Sequence, residues 1–150
     1  MEQTAKPLQV YVVEDSAILA QLIERTVQAA GGELVGRTGD ANEAAAALCR
    51  LPADLVILDV ILTTGSGFDV LKALEVPGPA HGAFKMVLTN YATPQHRKES
   101  FRLGADCFFD KSTEAWQAIE VINRLAAYWP TRGGERPSAA WLCPGHDPMG

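Results

Sequence analysis

The chain has 150 residues, of which 47% are hydrophobic and 21% charged, the size and composition of one compact domain with its own core. A formal net charge of −5 excludes a general nucleic-acid surface, which needs clustered Lys and Arg. No apolar run approaches the roughly 20 residues that span a bilayer, and "MEQTAKPLQ" lacks the charged-then-apolar order of a secretory signal, so a cytoplasmic protein without membrane contact is expected.

The first element is "LQVYVV" (8 to 13), a β-branched run ended by "EDS". In the following "AILAQLIERTVQAAGG", Ile18, Leu19, Leu22, Ile23 and Val27 share a helical stripe, and Gly31 and Gly32 supply the stop. "ELVGRT" (33 to 38) reads as a second strand, and Asp40 caps the next helix with Glu43 as its partner three residues on. "DLVILD" is the third strand, "GFDVLKALEV" the third helix, and "PGPAHGA" (77 to 83) a loop. "FKMVLT" follows as a strand, then a helix opened by Thr93 and Pro94 and closed by Gly104. "DCFFD" is the fifth strand, and the last helix, "TEAWQAIEVINRLAAYW", sets Trp116, Ile119, Val121, Ile122 and Leu125 near one face.

Alternating strands and helices predict right-handed crossovers and a doubly wound α/β fold, with a parallel sheet covered on both faces. The near-continuous apolar strands agree, because a strand buried on both sides need not alternate. The domain is assigned to residues 7–129, after an N-terminal extension at 1–6. Residues 130–150, rich in Pro and Gly and without periodicity, read as a flexible tail too short for an output domain; docking of Trp141 and Leu142 is the alternative. The three cysteines, Cys49, Cys107 and Cys143, are odd in number and scattered, which predicts no disulfide framework and a reducing compartment.

Ligands of an open parallel α/β sheet bind outside the carboxyl ends of its strands. Glu14 and Asp15 end the first strand, Asp59 the third, Thr89 the fourth, and Lys111 follows the fifth. Carboxylates gathered in one pocket need a cation, since two unit charges 4 Å apart repel by about 4 kcal/mol at an effective dielectric near 20. Only oxygen donors are offered, which favours Mg²⁺ over zinc and leaves Asp59 free to act as a nucleophile. Lys111 can neutralise a phosphoryl oxygen and Thr89 can donate a hydrogen bond to one.

Over residues 7 to 129 the chain resembles the receiver domain of bacterial two-component response regulators, in a stand-alone form like the chemotaxis regulators. The resemblance is carried by "VVEDS", "LVILDVILTTGSG", "MVLTNY" and "GADCFFDKS", each at the right strand end and in order. It implies a flavodoxin-like (βα)5 fold with strand order 2-1-3-4-5. It also implies a phosphoryl group accepted on Asp59 from the phosphohistidine of a sensor histidine kinase or a histidine phosphotransfer protein. Mg²⁺ would be held by Asp15, Asp59 and the backbone carbonyl of Ile61, with Glu14 acting through a water. Thr89 and Phe108 would form the switch: the hydroxyl moves toward the phosphate, the ring swings inward, and the surface of the fourth helix, fifth strand and fifth helix is remodelled. That surface would bind a downstream protein target, pass the phosphoryl group along a relay, or pair in a homodimer. The domain would catalyse only its own phosphorylation and dephosphorylation.

The sequence departs from the family at Thr63 and Ser112, where proline is common, and carries bulky Ile61 and Tyr91 two residues after the acceptor and after Thr89. With serine after Lys111, a trans peptide bond is expected there, and Ile61 and Tyr91 suggest slow self-dephosphorylation. An aspartate-nucleophile phosphatase would need a second Asp where Ile61 stands. A flavin-binding protein would need a Ser/Thr/Gly-rich phosphate loop in place of "VVEDSAIL". A receiver-like scaffold that is never phosphorylated remains the other alternative, against which stands the full acidic, Thr and Lys set. Read singly, each residue has a plainer role: an acidic helix cap for Glu14 and Asp15, core for Phe108, a solvated amine for Lys111.

Overall fold

The computed structural model describes residues 6–129, 137, 138 and 143. Five strands alternate with five helices: β1 (Gln9–Val13), α1 (Ala17–Ala29), β2 (Glu33–Thr38), α2 (Ala41–Leu48), β3 (Leu55–Leu58), α3 (Gly67–Glu75), β4 (Phe84–Thr89), α4 (Pro94–Arg102), β5 (Cys107–Asp110) and α5 (Ala115–Tyr128). The strands form one parallel sheet in the order β2-β1-β3-β4-β5, the flavodoxin-like arrangement. Every residue of β3 and β4 is buried, as expected of central strands with both faces covered.

Two apolar layers sandwich the sheet. On one face Ile23 and Val27 of α1 and Val121, Ile122 and Leu125 of α5 pack on Val10, Val12, Ile57 and Met86. On the other, Leu48 of α2 and Val70, Leu71 and Leu74 of α3 pack on Tyr11, Val56, Leu58 and Val87. Burying a side chain of this size contributes about 1.5–3 kcal/mol relative to leaving it exposed.

The helix starts follow local chemistry. Ser16, Asp40, Ser66 and Thr93 each accept a backbone N–H with a side-chain oxygen, and Pro94 opens α4 where a missing N–H costs nothing. The α1 stripe is narrower than the periodicity predicts: Ile18 and Leu22 are exposed, and the buried side is Ala20, Ile23 and Val27. Likewise Trp116 is 77% exposed, and α5 turns Ala118, Val121, Ile122, Leu125 and Ala126 inward. Periodicity marks the side of a helix but not which edge of it meets the sheet.

The expectation about the cysteines is overturned. Cys107 and Cys143 form a disulfide across a sequence separation of 36, and both are buried against the layer of α1 and α5. Nothing in their spacing signals this, because the pairing depends on which residues the fold brings together. Cys49 is free and exposed. Pro137 and Cys143 are both buried, while Trp141, Leu142, the tail residues other than 137, 138 and 143, and residues 1–5 lie outside the described residues. No helix among the described residues is long and apolar enough to cross a membrane.

Candidate functional site

Parallel register builds the site. Val13 pairs with Leu58 and Thr89 with Asp110, so Glu14, Asp59 and Lys111 leave the same edge of the sheet. Backbone bonds extend this alignment past the strands: Asp59 N–H donates to Val13 O at 3.1 Å, and Lys111 N–H to Thr89 O at 2.9 Å.

Lys111 lies at the centre. Its Nζ donates to Asp59 Oδ2 and forms an ion pair with Glu14 Oε1, each at 2.7 Å. The Asp59 carboxylate is held from both sides, since its Oδ1 accepts the Ile61 N–H at 3.1 Å. Burial alone would depress the ammonium of Lys111, but hydrogen bonds and charge from Asp59 and Glu14 outweigh it and hold its pKa above the ordinary lysine value. Burial pushes the Glu14 carboxyl up, against the pull of Lys111 and of the Ser16 N–H.

Asp15 is exposed and turns elsewhere. Its Oδ2 accepts both the backbone N–H and the hydroxyl of Thr63, each at 2.7 Å. The hydroxyl bond of Thr63 holds the Asp15 carboxyl below the usual range, against a smaller effect of burial. Thr89 is fully buried, and its hydroxyl accepts the Tyr91 N–H at 3.1 Å. Phe108 is buried in the layer of α2 and α3, so the ring predicted to swing inward is already enclosed in this structure. Ile61 and Tyr91 are exposed. The bond between Lys111 and Ser112 is trans, as expected, because no cis peptide occurs among the described residues. The turn after β5 is instead held by Ser112, whose N–H and hydroxyl both donate to Asp110 Oδ1.

Two glycines let this geometry close, and neither stands out in the sequence. At Gly67 a Cβ would fall on the carbonyl oxygen of Asp59, so α3 starts against the backbone of Asp59. At Gly39 a Cβ would stand 2.7 Å from Asp15 Cα. At Thr63 the sequence shows only the absence of a proline; its bonds to Asp15 need the fold, which brings together residues 48 apart.

The donor chemistry fits a hard cation, since Glu14, Asp15, Asp59 and the Ile61 carbonyl offer only oxygen. Among the described residues no three His, Cys, Asp or Glu side chains are gathered as a ready cation cage. Lys111 occupies the centre between Glu14 and Asp59, and Asp15 is bound to Thr63. Mg²⁺ itself takes only one or two carboxylates and keeps several waters.

Residues 10–123 match the model of the response regulator receiver domain. The chain therefore belongs to the response regulator receiver family of two-component signalling. It is 33% identical over 122 residues to the probable transcriptional regulatory protein TcrX of Mycobacterium tuberculosis, covering 81% of this chain and 50% of that one. Thus it spans only half the length of that relative. Against the chemotaxis protein CheY of Thermotoga maritima it is 23% identical over 117 residues, 78% of this chain and 96% of that one. Its fold superposes on chemotaxis protein CheY4 of Vibrio cholerae with a TM-score of 0.69 at 25% identity, over 79% of this chain and 98% of the other. The receiver domain of a sensor histidine kinase from Pseudomonas aeruginosa, solved with a magnesium ion in its active site cleft, superposes with a TM-score of 0.68 at 16% identity, over 81% and 98%.

Proposed function

We propose that Asp59 accepts a phosphoryl group from the phosphohistidine of a sensor histidine kinase or histidine phosphotransfer protein, and that the chain works as a response regulator. The observation that carries this reading is the Lys111 ammonium bound at 2.7 Å to Asp59 Oδ2, while the other oxygen of the same carboxylate is fixed by the Ile61 N–H. An Asp59 oxygen forms the new bond to phosphorus as the bond from phosphorus to the imidazole nitrogen breaks and the imidazole leaves. Lys111 is placed to follow the charge from the carboxylate to a phosphoryl oxygen without leaving the pocket.

Asp15, Asp59 and the Ile61 carbonyl are the groups that would hold Mg²⁺, with Glu14 reaching it through water. When bound, the ion supplies charge neutralisation at the phosphoryl oxygens. The magnesium in the Pseudomonas receiver domain of the same fold supports this assignment. Thr89, buried with its hydroxyl engaged by the Tyr91 N–H, would exchange that contact for one to a phosphoryl oxygen. Because Phe108 is already enclosed, phosphorylation would act by shifting the population of arrangements of α4, β5 and α5. The exposed Trp116 and Tyr91 place apolar surface where a protein partner or a second copy would read that shift.

Incubation with acetyl phosphate tests this proposal by intact mass. One phosphoryl group should be gained with Mg²⁺ and none with the metal chelated. A folded, Mg²⁺-binding protein that takes up nothing from acetyl phosphate or from a phosphorylated histidine phosphotransfer protein would instead be a scaffold.

A further inference from the structure

We propose that Thr63 is a positioning residue for Asp15, and through Asp15 for the divalent cation. The inference rests on the reading that Asp15 is a ligand of Mg²⁺. Thr63 stands in the loop between β3 and α3, four residues after Asp59. Two of its donors converge on one atom, the backbone N–H and the Oγ1 hydroxyl each reaching Asp15 Oδ2 at 2.7 Å. Both bonds go to the same oxygen, so Thr63 anchors the carboxylate through Oδ2 and makes no bond to Oδ1.

The anchoring matters because Asp15 is exposed and its side chain would otherwise sample several rotamers. Two charge-assisted hydrogen bonds select one of them before any cation arrives. The loop that supplies them is itself held. Thr64 O accepts the Ala41 N–H at 3.0 Å, and Val60 O accepts the Gly67 N–H at 3.0 Å. On its other side Asp15 is bounded by Gly39, where a Cβ would come within 2.8 Å of Asp15 Cβ. A proline at position 63 would supply neither donor.

The test is titration of Mg²⁺ into metal-free protein by calorimetry. Thr63→Val keeps the N–H and loses the hydroxyl, Thr63→Ala does the same without added bulk, and Thr63→Ser keeps both donors. Because Asp15 is exposed, loss of the hydroxyl bond should weaken Mg²⁺ affinity by roughly three- to tenfold in Thr63→Val and Thr63→Ala, the worth of an ordinary hydrogen bond. Thr63→Ser should stay within about twofold of wild type, a rescue that general loop damage would not give. Unchanged or tighter binding in Thr63→Ala, or failure of Thr63→Ser to hold wild-type affinity, overturns the inference alone. Failure of the wild type to bind Mg²⁺ overturns the ligand reading and this inference with it.

Discussion

Lys111 Nζ and Asp59 Oδ2, separated by 52 residues in sequence, meet at 2.7 Å. The same ammonium serves Glu14, so one positive charge offsets two buried carboxylates. Removing it strands both. Lys111→Met should destabilise the metal-free protein by about 1–3 kcal/mol, less than a fully buried pair because the lysine reaches the pocket mouth. Millimolar Mg²⁺ should restore part of the loss. Asp59→Asn leaves Lys111 paired with Glu14 and should change stability by less than about 1 kcal/mol. Urea unfolding of the three proteins with and without Mg²⁺ checks the set.

Alkaline pH should weaken the fold in a way that Tyr11→Phe reduces. Burial, helped by the charge of Glu43, raises the phenol of Tyr11. Between the ordinary tyrosine value and the raised one, the unfolded chain has lost the phenolic proton while the folded chain keeps it. The contribution is therefore full below about pH 10 and falls as pH rises through that window. Lys111, also raised, acts in the same direction: its contribution is full below its unfolded value and is lost as pH rises through the folded one. Urea midpoints from pH 8 upward should fall in wild type and fall less steeply in Tyr11→Phe, with the part due to Lys111 remaining.

Phosphoryl lifetime should be long. Ile61 and Tyr91 stand at the exposed edge of the site, and the aliphatic Ile61 offers no amide to hold an attacking water near the phosphorus. Ile61→Asn should shorten the half-life of the phosphorylated protein by about tenfold, or 1.4 kcal/mol of barrier. The decay of phosphorylated wild type and variant, followed by intact mass, gives the comparison; equal half-lives would remove Ile61 from the account.

The disulfide should be a stabilising element. Cys107 and Cys143 close a loop across a separation of 36, which limits the unfolded chain by about 2–4 kcal/mol. Cys143→Ser should lower stability by that amount in non-reducing buffer. Added dithiol should bring wild type down to the variant and leave the variant unchanged.

Most of the architecture was legible in the chain, because strands such as "LVIL" and caps such as Asp40 and Thr93 state their roles locally. The positions of Glu14, Asp15, Asp59, Thr89 and Lys111 were legible for a related reason: each ends or follows an apolar run, and parallel register then carries them to one edge. What the sequence concealed depends on contacts across the fold. The Thr63 bonds to Asp15 require the loops after β1 and β3 to meet, and the clearance at Gly67 requires α3 to begin on the backbone of Asp59. The pairing of Cys107 with Cys143 carries no spacing signal. Ile18 and Trp116 misled because a helical stripe shows an apolar side without showing how far the sheet extends beneath it.

The most direct test of the central claim is to locate the phosphoryl group. The protein is treated with acetyl phosphate and Mg²⁺, reduced with borohydride to trap the acyl phosphate, digested and sequenced by tandem mass spectrometry, beside Asp59→Asn. The account predicts reduction to homoserine at position 59 in wild type, and none in Asp59→Asn or without Mg²⁺. A trapped acyl phosphate at another carboxylate, with position 59 unmodified, would contradict it.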